Sequence, residues 1–487
     1  MIRLAACFEK CILFLYFSLL CLILLLNIRT GHAFRLALPF LAALLLLLWR
    51  WEAFRCRMLN CIRGLRSLLG KRAVFVALLI LGLALRLLPV LMDFDWVLTD
   101  IQTDCGIHFF AALQMAEYGA MSDVNALYES VFPQLYPYSL GLALAYRLTG
   151  SISAAIMGSN ILFDAISALA IYGLMKRSGR QANVCVLLWW FNPVFIIMCW
   201  LPLAISVVNM LLVLCICCAL ALFSGFERGK NGYGAAVLLG LLIFLGNLFR
   251  PMFYVVLIAV LIISMIYFLR MGHQRKKMSL CALLLLLFSL VPSKLYSTLH
   301  GDIQGFEIPE NRIGWNFFVG ANYDTKGRWN FEDHGYFFSQ LYGEIGYAEA
   351  QDRVLREGVE RYRAMGLTRI LRHFINKTEL LYANMSEIPF DVYYSFNLTM
   401  PFYATLCYLC SGGYLFVLVL LSLLSASMDK EKRREKGFLL CALTLVGLSM
   451  AYMLVEVMPR YSTMSYALFI LLLGFTFTAE HKSESRN

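Results

Sequence analysis

The chain has 487 residues, of which 60% are hydrophobic and 15% are charged, and its mean hydropathy is +0.70. This balance excludes a water-soluble globular protein and indicates one that lies in a bilayer. The formal net charge of +11 does not indicate nucleic-acid binding, because the excess lysine and arginine lies in short loops between apolar segments, where it orients the protein and meets anionic lipid.

Apolar segments close to the length of about 20 residues that crosses a bilayer recur along most of the chain. Proline within or beside the segments 135–149, 183–200 and 234–250 predicts half-helices or kinked spans there. The sequence therefore predicts an all-α polytopic membrane protein with about 11–13 transmembrane helices. The predicted spans are 11–27, 33–49, 73–92, 135–149, 152–174, 183–200, 202–223, 234–250, 252–269, 279–297, 401–425, 438–457 and 462–480.

Lysine and arginine in three connections orient the chain, because these residues favour cytoplasmic loops. With those connections inside, the span 73–92 carries the loop 93–134 to the outer face, and the span 279–297 carries the stretch 298–400 there as well. Both large polar segments are therefore predicted to meet on the extracytoplasmic side. The basic connections are residues 50–72, 270–277 and 430–436.

The number of spans and this orientation disagree at one point. If every predicted segment crossed fully, the stretch 298–400 would lie in the cytoplasm. The basic loops are unambiguous and the span boundaries are not, so we follow the charge bias. One segment between residues 135 and 297 is then predicted to be re-entrant, or two of them form one broken span.

Four regions follow from this layout. Residues 1–72 are predicted to form an accessory transmembrane hairpin with a basic cytoplasmic loop. Residues 73–297 form the main transmembrane module, which includes the outer loop 93–134. Residues 298–400 form an extracytoplasmic region, and residues 401–487 hold the last transmembrane helices and a short cytoplasmic tail.

Acidic residues follow the span 73–92 directly, and acids beside a bilayer are usually kept for chemistry or transport. Asp104 is predicted to begin a short helix that Thr103 caps and Gly119 ends. A carboxylate at a helix N-terminus is stabilised as the anion, which suits a general base that takes a proton from an acceptor hydroxyl. Asp100 is the second catalytic candidate. The alternative for Asp104 is a plain capping role.

Two further polar residues each allow two interpretations. His108 lies one helical turn after Asp104, so the two side chains could share a metal ion, or the histidine could simply pack beside its aromatic neighbours. Asp164 is the one clear acid within a predicted span. It belongs either to a proton path or to a buried structural contact.

Several short motifs recur in one order and on one predicted side of the membrane. In the first outer loop, the acid is followed by a short helix that ends in glycine, then by Tyr136-Pro137, Gly141 and Gly150. The other patches are Asn192-Pro193, Leu248-Phe249-Arg250-Pro251, the stretches 314–323 and 327–330 with Asp333, and the sequence Glu456-Val457-Met458-Pro459-Arg460-Tyr461. Over about residues 73–470 this pattern resembles the GT-C superfamily of glycosyltransferases, and most nearly the bacterial family 39-like proteins, which are similar to dolichyl-phosphate-mannose protein mannosyltransferases.

The resemblance implies a GT-C-like bundle with a short helix in the first outer loop and a larger extracytoplasmic loop. It also implies that a polyprenyl-phosphate sugar enters from the bilayer, that Asp104 is the general base, and that polyprenyl phosphate leaves as the sugar inverts. The implied partners are this donor, membrane lipids and a cell-envelope glycan, lipid or protein acceptor, without nucleic acid. The expected location is the bacterial plasma membrane, with the site on the extracytoplasmic face. No cofactor is assigned and no metal ligands are named, although a divalent metal stays open.

The leaving phosphate needs a cation, and arginine can hold phosphate oxygens with two parallel hydrogen bonds. Arg250 and Arg460 lie at span ends outside the basic loops and, with Tyr461, are predicted to bind the donor phosphate. Snorkelling to the interface is the alternative for both arginines. The stretch 298–400, in which 346–384 is predicted to be helical, is too long for a passive connection. The predicted acceptor- or sugar-binding residues are Tyr136, Trp315, Asn316, Asn322, Arg328, Trp329 and Asp333, with ordinary loop packing as the alternative.

Two other functions stay open. A lipid-linked polysaccharide polymerase or ligase also uses a large outer loop and arginines against lipid phosphate. A transporter or flippase for lipid-linked sugars also places acids and arginines beside a membrane cavity, but the sequence indicates neither an internal repeat nor an intramembrane charge pair. The acid-bearing first loop favours the transferase.

Overall fold

The computed structural model describes residues 2–30, 71–92, 104–121, 128, 132–270, 274–304, 313–396, 398–428 and 431–477. These residues are mainly helical, and none of them forms a β-strand. Six helices are long and apolar enough to cross a membrane. The chain is therefore a multi-pass, all-helical integral membrane protein. The six candidate spans are Leu4–Arg29, Ile152–Arg177, Ile205–Glu227, Phe253–Arg270, Met400–Ser427 and Lys436–Leu454.

We number the described α-helices in chain order. The first ten are α1 Ile2–Thr30, α2 Arg72–Arg86, α3 Leu88–Leu91, α4 Asp104–Tyr118, α5 Tyr136–Thr149, α6 Ile152–Arg177, α7 Ala182–Trp190, α8 Pro193–Met198, α9 Ile205–Glu227 and α10 Tyr233–Phe249. The next ten are α11 Phe253–Arg270, α12 Arg275–Gln304, α13 Gly314–Gly320, α14 Phe331–Gly335, α15 Tyr342–Ile345, α16 Tyr347–Ala383, α17 Phe390–Phe396, α18 Met400–Ser427, α19 Lys436–Leu454 and α20 Thr463–Thr476.

The predicted break at Asn192-Pro193 is present. Helix α7 has 9 residues and α8 has 6, so at a rise of about 1.5 Å per residue neither approaches the bilayer core of about 30 Å. The Asn192 side chain accepts a hydrogen bond from the backbone N–H of Val194 at 3.0 Å, and Pro193 stands at the first helical position. Local capping chemistry therefore starts a new helix inside the predicted span.

Ion pairs collect at one end of the bundle, which we call the basic end. Glu9 of α1 contacts Arg270 at 2.7 Å and Arg434 at 3.7 Å, and Arg180 pairs with Glu435. The connections 270–277 and 430–436 therefore meet at the same end, as their charge predicts. Residues 50–70 of the third basic connection lie outside the described residues.

The opposite, or distal, end holds the extracytoplasmic region. Helix α19 starts at the basic end and its 19 residues rise by about 28 Å. Near the far end of α1, Asn27 donates to the carbonyl of Tyr382 in α16 at 3.0 Å. The predicted helix 346–384 is confirmed as α16, with an interruption at Gly366, whose φ is 66°.

The short helix α5 accounts for the disagreement between span count and orientation. Helix α6 ends near the basic end, and its 26 residues rise by about 39 Å, so it begins at the distal end, directly after α5. Helix α5 also begins near the distal end, because Ser139 bonds to His108 of α4 at 2.8 Å. Both ends of α5 thus lie on one side, and the predicted segment 135–149 is the re-entrant one.

The last helix, α20, forms the centre of the bundle. All 14 of its residues are buried, and it packs against α18 and α19. A helix that is apolar on every side is stable only inside a protein or a membrane. This rigid core element begins directly after the turn Pro459–Ser462, so it fixes that turn in space.

Candidate functional site

An ion pair between Asp104 and Arg460 brings together residues 356 positions apart. Asp104 is the first residue of α4, which ends before Gly119 with its φ of 77°, as predicted. Arg460 lies in the turn before α20. A second carboxylate, that of Asp391 on α17, lies 3.4 Å from the same guanidinium. Two carboxylates and one arginine therefore share one point at the distal end.

The ion pair is accessible. The side chain of Asp104 is 31% exposed and that of Arg460 is 18% exposed. The hydroxyl of Tyr128 donates to Asp104 at 3.4 Å. Because its bonded cation and hydroxyl both favour the anion, Asp104 is held ready to accept a proton.

Arg250 supplies a second cation. It follows α10 directly, and its guanidinium lies 4.1 Å from the centre of the Tyr461 ring. The guanidinium of Arg460 lies 6.0 Å from that ring. Within the part of the chain that the structure describes, no carboxylate or carbonyl accepts a hydrogen bond from the Arg250 side chain. Arg250 thus differs from Arg460 in having its hydrogen-bond donors available.

Glu456 adds a third carboxyl group. It lies in residues 455–458, a short extended segment between α19 and the turn, which we call the strap. Its residue is only 8% exposed. Burial raises the pKa of Glu456 to about 7, and the charge of Asp104 adds to this, while Arg460, Lys377 and Arg250 oppose it. Asp104, Asp391, Glu456, Arg250 and Arg460 are the acid–arginine cluster.

Asp391 is held between opposing influences. Burial raises its pKa, the nearby Arg460 lowers it, and the charge of Asp104 raises it further. Three carboxyl groups beside two guanidinium groups give the cluster the means to hold a phosphate and to accept a proton.

Several predicted sugar- or acceptor-binding residues make internal contacts in the extracytoplasmic region. Trp315 is buried, with its ring 5.1 Å from that of Phe337. Asn322 donates to Asp333 at 2.9 Å, and Arg361 pairs with the same carboxylate at 2.8 Å. Although burial acts to raise it, the pKa of Asp333 is lowered by the hydrogen bonds from Arg361 and its neighbours. These contacts hold the loop in shape, and a role in binding stays a prediction.

The other predicted residues lie at varied places. Arg328 pairs with Glu387 at 3.1 Å, and Trp329 is 39% exposed. Asn316 meets the strap through its backbone carbonyl. Tyr136 is the first residue of α5 and packs against the core. Asp100 lies outside the described residues.

His108 packs rather than pointing to a metal. Its ring bonds to Ser139 and stands edge-on to Tyr138 with the centres 5.0 Å apart. Burial lowers its pKa to about 4, although Asp104 opposes this and Arg460 adds to it. Among the described residues no group of three or more His, Cys, Asp or Glu side chains could hold a metal ion.

An intramembrane charge pair is present, contrary to the sequence-based expectation. Arg86 and Asp164 are both buried and form an ion pair. Trp189 donates to the same carboxylate at 2.7 Å, and Arg86 also donates to the carbonyl of Trp190 at 2.6 Å. The pairing was missed because Arg86 lies near the end of its predicted span, where snorkelling is the ordinary expectation. Asp164 is therefore a bonded acid that ties α6 to α2 and α7.

Sequence reasoning also missed parts of the cluster itself. Asp391, Tyr128 and Lys377 carry no motif, and nothing in their neighbourhoods distinguishes them from surface residues. Glu456 lies inside a quoted motif but was given no role. The cluster thus joins predicted residues, namely Asp104, Arg250, Arg460 and Tyr461, to unpredicted carboxyl groups. No family model, no curated protein and no solved structure matches this chain.

Proposed function

We propose that the chain is a membrane glycosyltransferase of the GT-C type, which moves a sugar from a polyprenyl-phosphate donor to an acceptor hydroxyl at the extracytoplasmic face. The observation that carries the proposal is the pairing of Asp104 with Arg460 beside the unpaired Arg250. A transfer of this kind needs a base for the acceptor and cations for the leaving phosphate. Both lie within one accessible cluster.

The chemistry follows from these groups. The acceptor oxygen attacks the anomeric carbon of the sugar, the bond from that carbon to the phosphate oxygen breaks, and polyprenyl phosphate leaves with the bonding electrons. Asp104 accepts the hydroxyl proton. Arg250 binds the phosphate, and Arg460 orients Asp104 and adds positive charge where the leaving group gains negative charge. The proposed acceptor is a cell-envelope glycan, lipid or protein.

The proposal also agrees with the position of the cluster. It lies at the distal end, opposite the basic loops that are expected in the cytoplasm. A lipid-linked donor would keep its chain in the bilayer and present only its headgroup there. Arginine suits such a headgroup because its planar fork matches phosphate oxygens.

The test uses purified full-length protein in lipid and a panel of polyprenyl phosphates that carry radiolabelled hexoses. We expect wild-type protein to release polyprenyl phosphate from at least one donor, and Asp104→Asn to lose that activity by about 10²-fold or more. Glu117→Gln, which changes an exposed acid on the same helix, is the matched control and should be fully active. Consumption of polyprenyl-diphosphate oligosaccharides instead would favour a polymerase or ligase.

A transporter for lipid-linked sugars is the second candidate, because of the Arg86–Asp164 pair. Intramembrane charge pairs are common in transporters. Each partner is already bonded, and Asp164 receives both Arg86 and Trp189, so the pair is suited to a structural role. Movement of a labelled donor between leaflets without its consumption would favour the transporter.

A further inference from the structure

Glu456 is the carboxyl group of the cluster that has no bonded partner. Asp104 and Asp391 both contact Arg460. Among the described residues, neither a hydrogen bond nor an ion pair reaches the carboxyl oxygens of Glu456, although the residue is only 8% exposed. Buried polar groups are normally hydrogen-bonded, so an unpartnered one at a cluster of charges points to a use.

The backbone on both sides of Glu456 is fixed. Its own N–H donates to the carbonyl of Asn316 at 2.7 Å, and the N–H of Val457 donates to the carbonyl of Gly327 at 2.9 Å. The preceding carbonyl, that of Val455, accepts from the Lys377 ammonium at 2.6 Å. These three bonds hold the strap against the extracytoplasmic region, so the side chain of Glu456 is presented to the cluster from a rigid support.

Lys377 is an unusual anchor because it is fully buried. Its ammonium donates to two backbone carbonyls, those of Gly320 at 2.9 Å and of Val455. Within the described residues, no carboxylate contacts it directly. Burial lowers the pKa of Lys377 to about 7, and the charge of Glu456 opposes this. The lysine and the glutamate therefore act on each other across the strap.

Charged and titratable groups face Glu456 from several elements. One acid and two cations come from α4, the end of α10 and the turn before α20, and a third cation comes from α16. Two phenols complete the set. These groups are Asp104, Arg250, Arg460, Lys377, Tyr128 and Tyr461. The hydroxyl of Tyr128, which donates to Asp104, is subject to the charges of both carboxyl groups.

We propose that Glu456 is a second proton-accepting carboxylate, which receives the proton that Asp104 takes from the acceptor hydroxyl. This inference rests on the proposed transferase function. The proton passes from the acceptor oxygen to Asp104 and then to Glu456, and it reaches water when the products leave. A proton left on Asp104 would weaken its ion pair with Arg460, whereas Glu456 has no such bond to give up. The transfer to Glu456 therefore restores the resting ion pair for the next cycle.

The test measures donor consumption between pH 5.5 and 8.5 with wild-type protein, Glu456→Gln and Glu456→Asp. Only ionised Glu456 can accept the proton, so the wild-type rate should rise with pH through about 7. We expect Glu456→Gln to lose about 10²-fold in rate together with this rise, and Glu456→Asp to retain the rise. Glu360→Gln, an exposed acid of the extracytoplasmic region, is the control and should behave as wild type.

Lys377→Met gives a readout that a purely structural role would not change. Loss of a positive charge beside Glu456 raises the pKa of that carboxyl, so the rise in rate should move to higher pH. This variant also decides the matter if Glu456→Gln fails to fold. Binding of polyprenyl phosphate to folded Glu456→Gln should be at least as tight as to wild type, because a negative group beside the phosphate has been removed.

The outcomes separate the inference from the function on which it rests. An unchanged rate and pH profile in Glu456→Gln, with wild-type protein active, would overturn the role of Glu456 alone. A Lys377→Met profile that does not move would overturn it as well. If wild-type protein consumes no donor at any pH, the transferase function fails and this inference fails with it.

Discussion

The buried pair of Arg86 and Asp164 gives a prediction that does not depend on the proposed function. The two side chains are 0% and 5% exposed. Removal of one partner leaves an uncompensated charge inside the bundle, which costs about 3–5 kcal/mol. Removal of both leaves only neutral groups, chiefly the Trp189 N–H that had donated to Asp164 at 2.7 Å. Such an orphan donor costs about 1–3 kcal/mol.

The double variant Arg86→Met/Asp164→Leu should therefore be more stable than Asp164→Leu alone by about 2 kcal/mol. The assay is the thermal unfolding midpoint of purified protein in one detergent, compared among wild type, both single variants and the double variant. Arg228→Met, at an exposed arginine, controls for loss of a cation. A double variant that unfolds as early as Asp164→Leu would refute the reasoning, because the charge would then not be the source of the damage.

Three further predictions concern the cluster and the strap. An added Cβ at Gly320 would lie 2.7 Å from Cα of Val455, so Gly320→Ala should shift the strap and lower transfer at least about tenfold, whereas Gly335→Ala meets nothing within 4 Å and should be neutral. Arg250→Gln should weaken polyprenyl-phosphate binding about tenfold, or about 1.4 kcal/mol, in equilibrium binding, with an unchanged unfolding midpoint because its guanidinium bonds to no described residue. The pKa of Lys377 falls from 10.5 to about 7 on folding, so unfolded protein binds more protons between these values, and the unfolding midpoint should rise with pH above about 7 in wild type but less in Lys377→Met.

Each of these predictions has an opposing result. Equal loss in Gly320→Ala and Gly335→Ala would show that strap position is not what matters. Unchanged phosphate binding in Arg250→Gln, measured beside the exposed control Arg228→Gln, would remove Arg250 from the site. A Lys377→Met midpoint with the same pH slope as wild type would mean that this lysine is not depressed by burial.

Local features of the fold could be predicted from the sequence because neighbouring residues determine them. The helix from Asp104 to the residue before Gly119 follows from a capping acid and a glycine that adopts positive φ. The break at Asn192-Pro193 follows from the same kind of local chemistry. The orientation of the basic loops also required only the positions of lysine and arginine.

Contacts between distant residues could not be predicted in this way. The partners Asp104 and Arg460 were each singled out, but their pairing across 356 positions is a property of the packed bundle. Lys377 lies in a helix of mixed charge, where a single lysine is normally exposed. Only the contact of α16 with the strap buries it. Roles for Glu456 and Asp391 likewise became visible once the folded chain placed them around one arginine.

The most direct test of the central claim is release of polyprenyl phosphate from labelled polyprenyl-phosphate sugars by purified wild-type protein, Asp104→Asn and the control Glu117→Gln, all in lipid. The account predicts release by the wild type and the control, and a loss of about 10²-fold or more in Asp104→Asn, with its unfolding midpoint and phosphate binding preserved. Full release by Asp104→Asn, or none by the wild type with any donor, would contradict the account.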